Sequence, residues 1–188
     1  MQPIQTFETL GNVELLSRKK VALFTSQNIP DELKLDAHGL FQQLIQHPLA
    51  VAGGWQAPLE KELLHAFNEQ NSKAAILYYL AKDINKFKPN ALQSHLIKEE
   101  RMLVVAPALH GERPTKKQVS FRDNLIFEQI NKILFMAISA GGRLEAYLNT
   151  LSKRNYELFI LDHPQNHTYF GNDLVPVNTE NLEILLNS

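Results

Sequence analysis

Six short apolar runs punctuate the chain: Lys20–Thr25, Leu49–Ala52, Ala74–Leu80, Met102–Ala106, Ile133–Ile138 and Tyr156–Leu161. Most are continuously apolar rather than alternating, the pattern of strands covered on both faces. Between them apolar residues recur at helical spacing. Leu33, Ala37, Leu40, Phe41 and Leu44 make one stripe, Leu59, Leu63, Ala66 and Phe67 a second, and Leu144, Tyr147, Leu148 and Leu151 a third. Pro58 suits the first turn of the second helix, and Glu60 and Glu62 favour its positive end. Alternating β and α predicts an α/β fold, a three-layer Rossmann-like domain whose mostly parallel sheet carries helices on both faces. Lys82–Lys98 reads as a loop with a short helix, and Ala108–Ser120 as a polar loop containing Gly111 and Pro114. The tail reads as a loop, a short strand over Leu174–Val177 and a closing helix from Thr179. No linker, repeat or low-complexity tract interrupts this order, so residues 1–188 are expected to form a single domain.

Composition narrows the function classes. At 44% hydrophobic residues over 188, the chain can bury a full core. Its longest apolar runs, such as Ala74–Ala81, are strand length and far short of a membrane span. The absence of cysteine excludes disulfides and thiolate metal sites. The polar stretch after Met1 does not read as a secretory signal, so a cytoplasmic location is expected. A formal net charge of −1 excludes a uniformly basic nucleic-acid binder; any such binding requires a local patch.

The candidate chemistry centres on two double glycines, Gly53-Gly54 and Gly141-Gly142, each between an apolar strand and an amphipathic helix. Backbone N–H groups at a helix N-terminus face an anion, and glycine permits close approach. Tight helix–sheet packing is the competing explanation. Neither junction continues as G-x-G-x-x-G or as a Walker sequence, which disfavours a dinucleotide site and a P-loop. Thr25-Ser26-Gln27-Asn28, after the first strand, offers hydroxyls and amides to a phosphate or ribose, or a cap to the next helix. His110–Arg122 is a basic segment holding Arg113, Lys116, Lys117 and Arg122; Arg122 is expected to open a helix beside the second junction. Trp55, Tyr78 and Phe121 are either base-stacking groups or core. Ser139 and Arg143 flank the second junction, where Arg143 can clamp a phosphate, and Glu145 is the one weak candidate for a catalytic base. Pro164 separates His163 from His167, so no metal site is expected there. No cofactor is indicated.

The order of these features resembles the central Rossmann-like domain of DNA-processing protein A (the DprA/Smf family), within the wider group related to the LOG-type phosphoribohydrolases. The similarity runs from Leu10 to Val177. Val21–Ser26 is similar to that family's V-A-I-V-G-S strand, and Val51–Gly54 to its second strand and glycine turn. Phe121–Ile126 resembles F-x-x-R-N-R-I-I, Ala140–Leu144 lies at S-G-S-L, and Gly171–Val175 resembles G-x-N-x-L-I. Thr25 stands where the family has glycine, Gln27 where it has arginine, and Arg143 where it has serine. The resemblance implies single-stranded DNA as ligand, Arg122 and Arg143 pairing with phosphates, Ser26 and Asn124 orienting the ligand, a recombinase as partner, and a homodimer. The alternative is a small-nucleotide sensor or LOG-like hydrolase, of whose P-G-G-x-G-T-x-x-E signature only Gly141, Gly142 and a displaced Glu145 remain.

Overall fold

The computed structural model describes residues 6–69, 72–108, 113–153, 155–171 and 173–187. Eight strands form one sheet: β1 (Phe7–Gly11), β2 (Lys20–Thr25), β3 (Ala50–Gly53), β4 (Ala75–Tyr79), β5 (Met102–Pro107), β6 (Lys132–Ala137), β7 (Glu157–Leu161) and β8 (Leu174–Val177). Their order is β1-β5-β4-β3-β2-β6-β7-β8. Every pairing is parallel except β1 on β5, so the α/β expectation holds with one antiparallel edge strand added. That edge strand, FETLG, is missing from the apolar pattern because it is mostly exposed.

The helices are α1 (Asp31–Leu44), α2 (Pro58–Glu69), α3 (Ala91–Lys98), α4 (Lys116–Gln129), α5 (Arg143–Leu151) and α6 (Glu183–Asn187). Alternation of side chains along each strand divides the core into two layers. Leu23, Val51, Ile76 and Val104 face α1, α2, α3 and α6 through Phe41, Leu59, Leu96 and Leu185. Phe24, Ala52, Leu77 and Phe135 face α4 and α5 through Leu125, Ile126, Leu144 and Leu148. α4 returns the chain from β5, near one edge, to β6 beside β2, and so creates the point where strand order reverses.

Helix α4 starts six residues before Arg122. Thr115 caps it: its hydroxyl accepts the Gln118 N–H while the Gln118 side chain accepts the Thr115 N–H. This reciprocal cap is a sequence-level start signal that the loop reading of Ala108–Ser120 overlooked. Arg122 therefore lies in the second turn and does not open the helix, as the sequence reading had it. Residues 109–112, including His110 and Gly111, and residue 172 lie outside the described residues. Among the described residues, no helix is long and apolar enough to cross a membrane.

Candidate functional site

Both glycine junctions lie at the carboxyl edge of the sheet, after β3 and β6, with β2 between them. Their amides already have acceptors. At the first, the Glu60 carboxylate, 6% exposed, accepts the N–H groups of Gln56 (2.7 Å), Ala57 (3.2 Å) and Thr25 (3.4 Å). At the second, Glu145 accepts the Gly141 N–H at 2.7 Å and the Tyr169 hydroxyl at 3.1 Å. Each glutamate is the third residue of its helix and folds back over the helix start. An internal carboxylate thus stands where an anionic ligand would seek backbone donors. Burial raises the Glu60 pKa above its ordinary value, and the backbone donors and neighbouring Arg122 act in the opposite direction.

The crevice between β2 and β6 is closed as well. The Ser26 N–H donates to the Ala137 carbonyl at 3.0 Å, and its hydroxyl accepts the Ser139 N–H at 2.9 Å. The register of β2 on β6 shifts between Phe24 and Thr25, just before this staple. Thr25, 3% exposed, sits beneath it. Open space lies to one side, above β3 and β4, in a cleft of about 990 Å³. This is the size of a nucleotide-class ligand site.

Segments distant in sequence line the cleft. Gln27 follows β2, Gln56 follows β3, and Tyr78 and Lys82 come from the end of β4. Phe87, Lys88 and Gln93 lead into and lie on α3; Lys116, Val119, Ser120 and Arg122 lie on α4; Arg143 opens α5. Five of the lining residues are cations, Lys82, Lys88, Lys116, Arg122 and Arg143, and none of the described ones is a carboxylate. Tyr78 and Phe87 supply an aromatic wall, their ring centres 5.9 Å apart, with the Lys82 ammonium 5.8 Å from the Phe87 ring.

The two arginines are fixed from behind by one carboxylate. Asp123 is wholly buried. One of its oxygens accepts from Arg122 Nε (2.9 Å) and Nη2 (2.6 Å). The other accepts from Arg143 Nη1 and from the Tyr147 hydroxyl. Arg122 fills the space beside Gly54: a Cβ there would meet the Arg122 guanidinium carbon at 2.5 Å. The second glycine of the first junction thus makes room for an arginine, not for a ligand. At the second junction a Cβ on Gly142 would strike the Ser139 carbonyl at 2.8 Å, and Gly141 holds φ of +69°, so these glycines make a tight turn.

The remaining expectations separate in space. Gln27, Arg122 and Arg143 reach the cleft. Trp55 does not: it is 1% exposed, packs edge-on against Phe41 and donates its indole N–H to the Leu77 carbonyl, so of its two readings the core one applies. Gly53 is buried under it. Asn124 is exposed elsewhere on α4, and Glu145 lies outside the cleft. Of the basic segment, Lys116 faces the cleft, whereas Lys117 lies against Phe121. Lys82, Lys88, Gln56 and Gln93 were not foreseen; only the clustering of Lys82, Lys86 and Lys88 around Phe87 hinted at them. Among the described residues no group of three or more His, Asp or Glu side chains could hold a metal.

No protein-family profile and no curated protein matches the sequence. Solved structures do match in fold. DNA processing protein A from Streptococcus pneumoniae superposes with a TM-score of 0.75 at 17% identity, over 95% of this chain and 65% of that one. DNA processing protein A from Helicobacter pylori, described for its single-stranded DNA binding mode, gives 0.78 at 14%, over 99% and 89%. The molybdenum cofactor carrier protein of Chlamydomonas reinhardtii gives 0.60 at 12%, over 91% and 100%. The expected fold resemblance to DNA processing protein A is therefore present over nearly the whole chain, which spans about two thirds of the Streptococcus protein's length.

Proposed function

We propose that this protein binds single-stranded DNA in the cleft above β3 and β4. The observation that carries the reading is the gathering of five cations, without a lining carboxylate among the described residues, in a chain of net charge −1. Such a cleft attracts phosphates in the otherwise neutral field of the molecule. Arg122 and Arg143, held rigid by Asp123, provide planar donors to phosphate oxygens. Lys82, Lys88 and Lys116 add point charges, and the exposed side of Phe87 offers a face to a base. The fold shared with the Helicobacter protein supports the same ligand class. Two finer proposals accompany this reading: the bound strand is passed to a recombinase, and two copies join their clefts into a longer basic track.

Fluorescence anisotropy of labelled oligo-dT, competed by a panel of mononucleotides, tests the reading. Micromolar or tighter binding of the oligomer, weakened at least fivefold in Arg143→Ala, is the expected result. Binding of a mononucleotide without binding of the oligomer would transfer the cleft to a small-nucleotide sensor, the reading that its nucleotide-sized volume favours next.

A further inference from the structure

Among the described residues, none accepts the hydroxyl proton of Tyr78. Tyr78 is 5% exposed and lines the cleft. Its oxygen accepts the Gln56 side-chain amide at 2.9 Å. The identity of that donor is fixed, because the same nitrogen also donates to the Gly54 carbonyl at 3.2 Å, which an amide oxygen could not do. Gln93 lines the same cleft as the phenol. Its amide oxygen accepts the Asn90 N–H at 3.0 Å. A phenol has two lone pairs and one proton. The Gln56 amide occupies one lone pair, and among the described residues no acceptor takes the proton.

A second donor lies beside this one. Arg122 spends Nε and Nη2 on Asp123, while Nη1 has no partner among the described residues. That nitrogen stands against Gly54, whose carbonyl holds the Gln56 amide next to the phenol. Its positive charge is felt at Tyr78, although burial keeps the phenol protonated well above neutral pH. Among the described residues, one neutral and one charged donor, both buried and both without an acceptor, line the same cleft. A group with several strong acceptor oxygens and negative charge satisfies both.

We propose that Tyr78 donates its hydroxyl proton to a phosphoryl oxygen of the bound ligand, beside Arg122, and acts as a specificity-determining residue. This inference rests on the reading of the cleft as a nucleic-acid site. It assigns Tyr78 a polar contact in place of the stacking role that its aromatic ring suggests, and leaves stacking to Phe87.

The test uses Tyr78→Phe, which keeps the ring, with oligo-dT, dTMP and thymidine as probes. The variant is expected to bind labelled oligo-dT about tenfold more weakly, the worth of one buried hydrogen bond to a charged acceptor. Its salt dependence should match the parent's, because a neutral donor releases no counterion. dTMP should lose its ability to compete by the same factor, and thymidine should be unaffected. Equal affinity of variant and parent for oligo-dT would overturn the proposal. Equal losses for dTMP and thymidine would also overturn it, by giving the proton to a base carbonyl. A parent that fails to bind oligo-dT at low salt would instead overturn the reading of the cleft and this inference with it. Should Tyr78→Phe fold poorly, fluorine NMR of the fluorotyrosine-labelled parent decides: the Tyr78 signal is expected to move with dTMP and not with thymidine, and movement with neither would overturn the proposal.

Discussion

Asp123 sets the cost and the geometry of the cleft's charge. It is wholly buried against Arg122, itself 4% exposed, and it reaches out to the half-exposed Arg143. Neutralising it removes the hydrogen-bonded counter-charge of the buried Arg122 guanidinium and leaves only the neighbouring Glu60, which burial shifts toward its neutral form. Asp123→Asn is therefore expected to destabilise the fold by about 3 kcal/mol, the usual penalty for breaking a buried ion pair from one side. Urea denaturation checks this, and a loss under about 1 kcal/mol would mean that Arg122 finds another partner. Glu60 makes a prediction of the opposite kind. Its folded pKa lies above the ordinary 4.5, so the folded state holds its proton more tightly than the unfolded state does. Stability from this group therefore falls as pH rises through the folded pKa and is regained as pH drops toward 4.5. Comparing urea midpoints of the parent and Glu60→Gln over this range isolates the effect. The parent should gain stability on acidification relative to the variant; a parent that loses ground would contradict the raised pKa.

At the scale of elements, the two junctions show how a helix start can resemble a ligand site and be complete without one. Glu145 closes the first turn of α5 by accepting from Gly141, and Tyr169 binds its other oxygen. Glu145→Ala should cost about 1 kcal/mol in thermal or urea unfolding, as lost helix caps do. It should leave oligo-dT affinity unchanged, because Glu145 is outside the cleft. A large loss of binding with unaltered stability would restore a functional role to this carboxylate. The strands were legible in the sequence because both faces of β2 to β7 are apolar, and β1 was not because its residues mostly face outward. The glycine pairs were equally legible as turns. Their purpose was not: that Gly54 leaves space for Arg122, 68 positions away by subtraction of the two residue numbers, depends on how α4 crosses the sheet. Helix α4 itself hid its start because its buried positions include Arg122 and Asp123, which break the apolar stripe that a helix is normally read from.

At the scale of the molecule, positive and negative charges nearly balance, yet the fold sorts them. The double-wound topology brings the ends of β2, β3 and β4 together with the starts of α4 and α5, and five cations from four separate stretches meet there. Sequence inspection found the basic segment and the second junction, and so Lys116, Arg122 and Arg143. It missed Lys82 and Lys88, which become part of the same surface only when β4 lies beside β3. The local field, not the net charge, is what a polyanion meets first. The most direct test of this account is the salt dependence of oligo-dT binding, compared between the parent and a Lys88→Ala, Lys116→Ala double variant. Each cation that neutralises a phosphate of a single strand contributes about −0.7 to the slope of log K against log salt. The account predicts a steep negative slope for the parent and one shallower by about 1.4 for the double variant. Binding that ignores salt, or a double variant with the parent's slope, would contradict the assignment of nucleic-acid binding to this cleft.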